Sequence, residues 1–182
     1  MTLPKETFLL FAALIDQLAV QRIFAMTAVA LQGGSQRIHL LMQTTGGNVA
    51  DGICLYNYFK AFPGNLTAYN VGSISSAGVL AYLGARTRKT ATLATFMIHR
   101  SSATFQGANA DVIQARIPSL IMDDQRSEAI LKEHVNLTEE QWTTHKASDL
   151  WLDAKQAVAT GLATEIGDFA PPAGELVYNV FG

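Results

Sequence analysis

Twice along this chain an apolar run of strand length passes through a glycine-containing turn straight into a helical pattern. That rhythm constrains the fold most, because alternating strands and helices bury their apolar faces by laying helices on a sheet. Residues 38–43 lead through Thr44-Thr45-Gly46-Gly47 into an expected helix over 48–62, with Val49, Ile53 and Tyr56 on one face. Residues 66–71 lead through an expected turn at 72–75 into a small-residue helix over 76–83. An earlier pair precedes them. Residues 8–15 read as a buried strand, and 16–31 as a helix with Leu18, Ile23, Phe24 and Leu31 at helical spacing, closed by Gly33-Gly34.

The second half continues the pattern. Residues 90–94 and 96–99 read as two short strands or one bent one, and a long helix is expected over 108–135. Pro118 falls inside it and is expected to kink or interrupt it, since proline removes a backbone donor and clashes with the preceding turn. Thr138 and Gln141 have capping-box spacing, with Leu137 and Trp142 placed as a hydrophobic staple. Asp153 is expected to cap a further helix that Gly161 closes. No linker, repeat or low-complexity stretch divides the chain, so residues 1–182 are expected to form one domain.

Composition narrows the function. With 49% hydrophobic and 15% charged residues among 182, the chain reads as an ordered protein, with some apolar surface covered by another subunit. A net charge of −2 gives no electrostatic reason to expect nucleic acid as a partner. The first apolar run stops at Asp16, too short to span a bilayer, and it lacks the basic start of a signal peptide. The expectation is a soluble, cytoplasmic protein with no membrane partner. Cys54 is the single cysteine, which rules out an internal disulfide framework and a thiolate metal cluster.

Four histidines are candidates for chemistry. His39 lies within an inner strand, and His134 and His145 flank the capping-box turn, where exposed histidines are common. His99 differs, because it ends the apolar run Phe96-Met97-Ile98 where the chain turns polar at Arg100, Ser101 and Ser102. A strand can hold such a residue while its ring faces a cleft, although a structural role fits it too. None of the four has a metal-binding spacing, and no metal or other cofactor is expected. The two glycine joints are also ambiguous. GxGxxG and the P-loop pattern are absent, so Gly46-Gly47 is either a plain turn or a source of N–H groups for an oxyanion. Ser73, Ser75 and Ser76 precede a helix, where serines usually serve as caps; an exposed nucleophile is the other use of that position. The segment is not the GxSxG elbow of the α/β-hydrolases.

Taken together, Gly72-x-x-x-Ser76-x-Gly78, the strand end Met97-Ile98-His99, and Asp149 ahead of Ala157-Val158 and Gly161-Leu162 resemble the proteolytic subunit family of the Clp protease over about residues 11–169. The resemblance implies a crotonase-like stack of ββα units. It implies a serine endopeptidase acting on peptides or unfolded proteins, with Ser76 as nucleophile, His99 as base, Asp149 as orienting acid, and Gly47 and Ala77 as oxyanion donors. It also implies a ring homo-oligomer, heptameric or two stacked heptamers, with residues 108–135 as the handle joining rings. The implied partner is a Clp-type AAA+ ATPase or a second ClpP-like subunit, since the chain has no P-loop of its own.

Departures from the family concern assembly more than chemistry. Thr44-Thr45 stands where the family has Ser-Pro, and Pro118 falls in the handle. Few residues precede Phe11, and positions near Tyr69 and Val71 keep only part of an apolar docking surface, so coupling to an ATPase is expected to be weak. Two rival readings stay open: a non-catalytic or weakly active scaffold subunit, and a crotonase-type acyl-CoA enzyme.

Overall fold

A computed structural model describes residues 5–104, 106–107 and 109–181. The order of elements is β1 (Lys5–Ala12), α1 (Gln17–Gln32), β2 (Ser35–Thr44), α2 (Val49–Lys60), β3 (Asn65–Ser75), α3 (Ala77–Leu83), β4 (Thr87–Thr90) and β5 (Thr95–Ile98). Then follow α4 (Ala110–His134), α5 (Glu139–Ala147), β6 (Leu150–Asp153), α6 (Ala154–Ala159), β7 (Glu165–Ile166) and β8 (Val177–Asn179). The strands form one sheet in the order β6-β5-β3-β2-β1-β8, with β4 beside β3 and β7 beside β4. All pairs are parallel except β5 with β6.

Alternation along the strands decides what is buried. Leu9 and Phe11 of β1, and Ile38, Leu40 and Met42 of β2, are almost wholly inaccessible, as period-two residues on one sheet face should be. Ile23 of α1 and Leu55 of α2 close over the sheet, and every residue of α3 is buried. The fully buried stripe of α2 is Gly52, Leu55, Tyr56 and Phe59, with Val49 and Ile53 partly buried against the core.

Three expectations are corrected. Residues 72–75 are not a turn: β3 runs unbroken to Ser75 and changes neighbours on the way, pairing with β4 at Thr67–Asn70 and with β5 at Ser73–Ser75. Side chains manage the change. Asn70 accepts from the Gly72 N–H at 3.1 Å and Gln43 accepts from the Ser73 N–H at 2.7 Å, while the β2–β3 register shifts beside them. A Cβ on Gly72 would lie 2.5 Å from the Gln43 side-chain oxygen, so glycine at 72 serves a close approach rather than a bend. Next, β4 ends at Thr90, and the Ala94 N–H turns back to the Ala91 carbonyl before β5 begins.

The third correction concerns the long helix. Its expected first residue, Ala108, lies outside the described residues; from Ala110, α4 continues through Pro118 to His134 without a break. Pro118 and the turn before it are exposed, so water can satisfy the carbonyl freed by the missing donor. The expected capping box of Thr138 with Gln141 is formed, and Asp153 caps α6 as expected, where the structure adds a second box with Gln156.

Candidate active site

The joint between β3 and α3 carries the most unusual backbone in the molecule. Ser76 has φ 54° and ψ −127°, and among the described residues it alone departs to positive φ without being glycine. Such a conformation costs of order 1–3 kcal/mol and persists only where surroundings enforce it. Here the Ser76 N–H donates to the Met97 carbonyl at 2.8 Å, and all of α3 is packed in the core behind it. Ser76 occupies the N-cap position yet its side chain caps nothing. Its Oγ instead lies 2.8 Å from His99 Nε2.

His99 and Asp149 meet through strand register. The antiparallel β5–β6 ladder pairs Thr95 with Asp153, Phe96 with Leu152, Met97 with Trp151 and Ile98 with Leu150. The next opposed positions are 99 and 149. There His99 Nδ1 lies 3.4 Å from Asp149 Oδ1, with the Asp149 side chain about half exposed. The nearby acid Asp153 sits at the far end of the same ladder and accepts from the Gln156 N–H at 2.8 Å, so it caps α6. The Ser73 and Ser75 hydroxyl oxygens lie 3.4 Å apart within β3, which ends at Ser75, one residue before the joint.

The glycine turn packs against this joint. Ile15 N–H donates to the Gly46 carbonyl and Asn48 N–H to the Ile15 carbonyl, each at 2.8 Å. In a trans peptide the N–H opposes the C=O, so the Gly47 N–H points away from Ile15. Among the described residues neither it nor the Ala77 N–H donates to another protein group. Gly46 makes the close approach: a Cβ there would sit 2.7 Å from both Ser76 Cβ and the Ser75 carbonyl oxygen. Sequence reading missed this role of Gly46, although the doubled glycine was its signal. A small cleft opens at the joint, lined by Val49, Ser76, Leu80, Ile98, His99 and Ser101.

The other histidines are placed elsewhere. His39 Nδ1 bonds the Tyr69 hydroxyl at 2.8 Å and its ring stacks on Phe8. His134 is not an exposed turn residue, since its Nε2 lies 2.9 Å from the Tyr56 hydroxyl. His145, expected at the surface, is buried, with Trp142 edge-on to its ring. Helix α5 turns that face inward beside β6, a tertiary contact invisible in local spacing. Burial lowers the proton affinity of all three. Among the described residues no group of three or more His, Cys, Asp or Glu is placed to hold a metal, and no helix is long and apolar enough to cross a membrane.

A strained serine touching a histidine that touches a carboxylate, beside free N–H groups, has the parts for acyl transfer to a hydroxyl. Comparison with known proteins supplies the family. The Clp protease family model matches residues 2–169, and the chain belongs to that family. It is 27% identical over 154 residues to ATP-dependent Clp protease proteolytic subunit 2 of Corynebacterium efficiens, covering 83% of this chain and 76% of that one. It is 25% identical over 164 residues to proteolytic subunit 1 of Streptomyces avermitilis, covering 88% and 75%. A solved mutant of ClpP1 from Listeria monocytogenes superposes with a TM-score of 0.74 over 90% of this chain and 91% of that one, at 21% identity. The fold is therefore that of ClpP, and the enzyme class is serine peptidase.

Proposed function

We propose that this chain hydrolyses peptide bonds of short peptides or unfolded proteins with Ser76 as nucleophile, His99 as general base and Asp149 as orienting acid. The observation that carries the reading is the 2.8 Å contact between Ser76 Oγ and His99 Nε2 at a backbone joint held under strain. Ser76 Oγ attacks the peptide carbonyl carbon while His99 Nε2 takes its proton, and the carbonyl oxygen becomes an oxyanion facing the Gly47 and Ala77 N–H groups. His99 returns the proton to the leaving amine as the C–N bond breaks. Water then attacks the acyl ester with His99 again as base, releasing the acid and restoring Ser76. Asp149 holds the Nδ1 proton throughout and stabilises the imidazolium.

The test is hydrolysis of short fluorogenic peptides without ATP. Activity should vanish in Ser76→Ala while the melting temperature holds, and undiminished hydrolysis in that variant would end the reading. A weakly active scaffold subunit is favoured by one observation, the long 3.4 Å contact to a half-exposed Asp149. The same assay separates the two, since a scaffold would show little or no Ser76-dependent turnover.

Membership of this family carries oligomeric assembly and ATPase partnership in general terms. The finer reading has residues 1–182 as one peptidase unit in a heptameric ring, single or stacked, with α4 as the handle. Val112, Ile113, Ile117, Ile121 and Met122 on the first half of α4 are exposed, as a covered helix face would be in an isolated chain. Tyr69 is buried with its hydroxyl bonded to His39, which leaves Val71 as the exposed apolar residue there and supports weak coupling to an AAA+ ATPase. The free Cys54 fits a reducing cytoplasm.

A further inference from the structure

His99 stands one residue past the end of β5, so the ladder that fixes Ile98 does not fix the peptide after it. What holds that side is Asp124, on α4. Its Oδ1 accepts from the Ser101 backbone N–H at 2.6 Å, and its Oδ2 accepts from Arg100 Nε at 2.8 Å and lies 2.6 Å from Arg100 Nη2. The Asp124 side chain is 13% exposed, whereas the Arg100 side chain is 53% exposed. A largely covered carboxylate thus gathers three N–H groups from the two residues that follow the base. The neighbouring acid cannot substitute, because Asp123 is engaged by Arg126. Further along α4, Ile130 and Leu131 are buried in the core, which makes the helix carrying Asp124 a firm support.

We propose that Asp124 is a positioning residue for His99: by clamping Arg100 and Ser101 to α4, it sets the reach of the imidazole to Ser76 Oγ and to Asp149. Two short contacts to the backbone and side chain after His99 limit how the segment can pivot, and the 3.4 Å contact to Asp149 has little slack before it is lost. Misplacing a reacting group by about 1 Å can cost on the order of 10²-fold in rate. The clamp also ties the orientation of the base to α4, so a shift of that helix would reach the site through Asp124. The proposal rests on the reading of His99 as the base of Ser76.

The experiment uses the full chain and compares wild type, Asp124→Ala, Asp124→Asn, Arg100→Ala and Ser76→Ala on one fluorogenic peptide, with melting curves for each. Asp124→Ala should lower kcat roughly 10²-fold with KM little changed. Asp124→Asn keeps an acceptor for the Ser101 N–H and should recover part of that loss, and Arg100→Ala, which keeps the Ser101 contact, should lose least. If Asp124→Ala does not fold, the Asn variant decides: a reduced kcat in a folded protein supports the clamp. Wild-type kcat in folded Asp124→Ala, or in folded Asp124→Asn where Ala fails, overturns the positioning role while leaving Ser76 and His99 untouched. Activity persisting in Ser76→Ala overturns the parent reading, and with it this one.

Discussion

The β3–α3 joint and the first half of α4 are built on opposite terms. At the joint, seven consecutive residues of α3 are buried, the one strained non-glycine backbone among the described residues is held by a hydrogen bond to β5, and the glycine turn packs against it. Along α4 from Ala110 to Met122 nearly every residue is exposed, five large apolar side chains included, and a proline sits inside the helix. Rigidity at the joint comes from within the chain. Helix propensity alone does little to hold an unsupported stretch of that length, so the exposed half of α4 needs an outside surface that the joint does not. On the proposed function, chemistry and assembly are thereby separated along one chain, and Asp124 lies just past the end of the exposed half.

Four variants break or sharpen that contrast. Asp149→Asn should cut kcat on the order of 10⁴-fold, the size of the corresponding loss in a trypsin-type triad, with melting barely moved; a mild kinetic effect would detach the acid from the joint. Gly46→Ala should be severe in both respects. Its Cβ would meet Ser76 Cβ and the Ser75 carbonyl at 2.7 Å with φ at +95°, and strain at such a position costs about 1–3 kcal/mol before any clash. Melting together with peptide turnover measures it, and a stable, active variant would show that the turn does not support Ser76. Asp153→Ala should cost about 1 kcal/mol by losing the α6 cap while sparing turnover, which sets it apart from Asp149 four residues earlier. Ile117→Ser with Ile121→Ser on α4 should change chain stability by no more than about 0.5 kcal/mol yet lower the oligomer mass in sedimentation. Unchanged mass would remove α4 from the assembly.

What the sequence disclosed and what it hid follows the range of the interactions. The capping box of Thr138 with Gln141 and the cap at Asp153 were legible because each acts within one helical turn. The strand–helix rhythm was legible for the same reason, and the ordered motifs around Ser76, His99 and Asp149 pointed to residues that the fold brings together. The change of partners at Gly72 was hidden because it depends on Gln43, nearly thirty residues away. Burial of His145 depends on how α5 packs beside β6, and the positive φ of Ser76 depends on Met97. The persistence of α4 through Pro118 depends on that turn being exposed, which local spacing does not disclose.

Buried histidines add a pH dependence with a definite sign. Desolvation lowers the proton affinity of folded His145 below its ordinary value of 6.5, and does the same to His39 and His134. Below about that pH the unfolded chain binds protons that the folded chain refuses, so stability should fall as pH drops from 6.5 and level off beneath the folded values. Melting curves from pH 8 to pH 5 check this, and the decline should be shallower in His145→Phe.

The central claim is that Ser76, and no neighbouring serine, is the activated nucleophile. A phosphonate that reacts with activated serines, followed by peptide mass mapping, addresses it directly. A single adduct on Ser76, absent from His99→Ala, is the predicted result. An adduct on Ser73 or Ser75, or peptide hydrolysis that continues with Ser76 unlabelled, would contradict it.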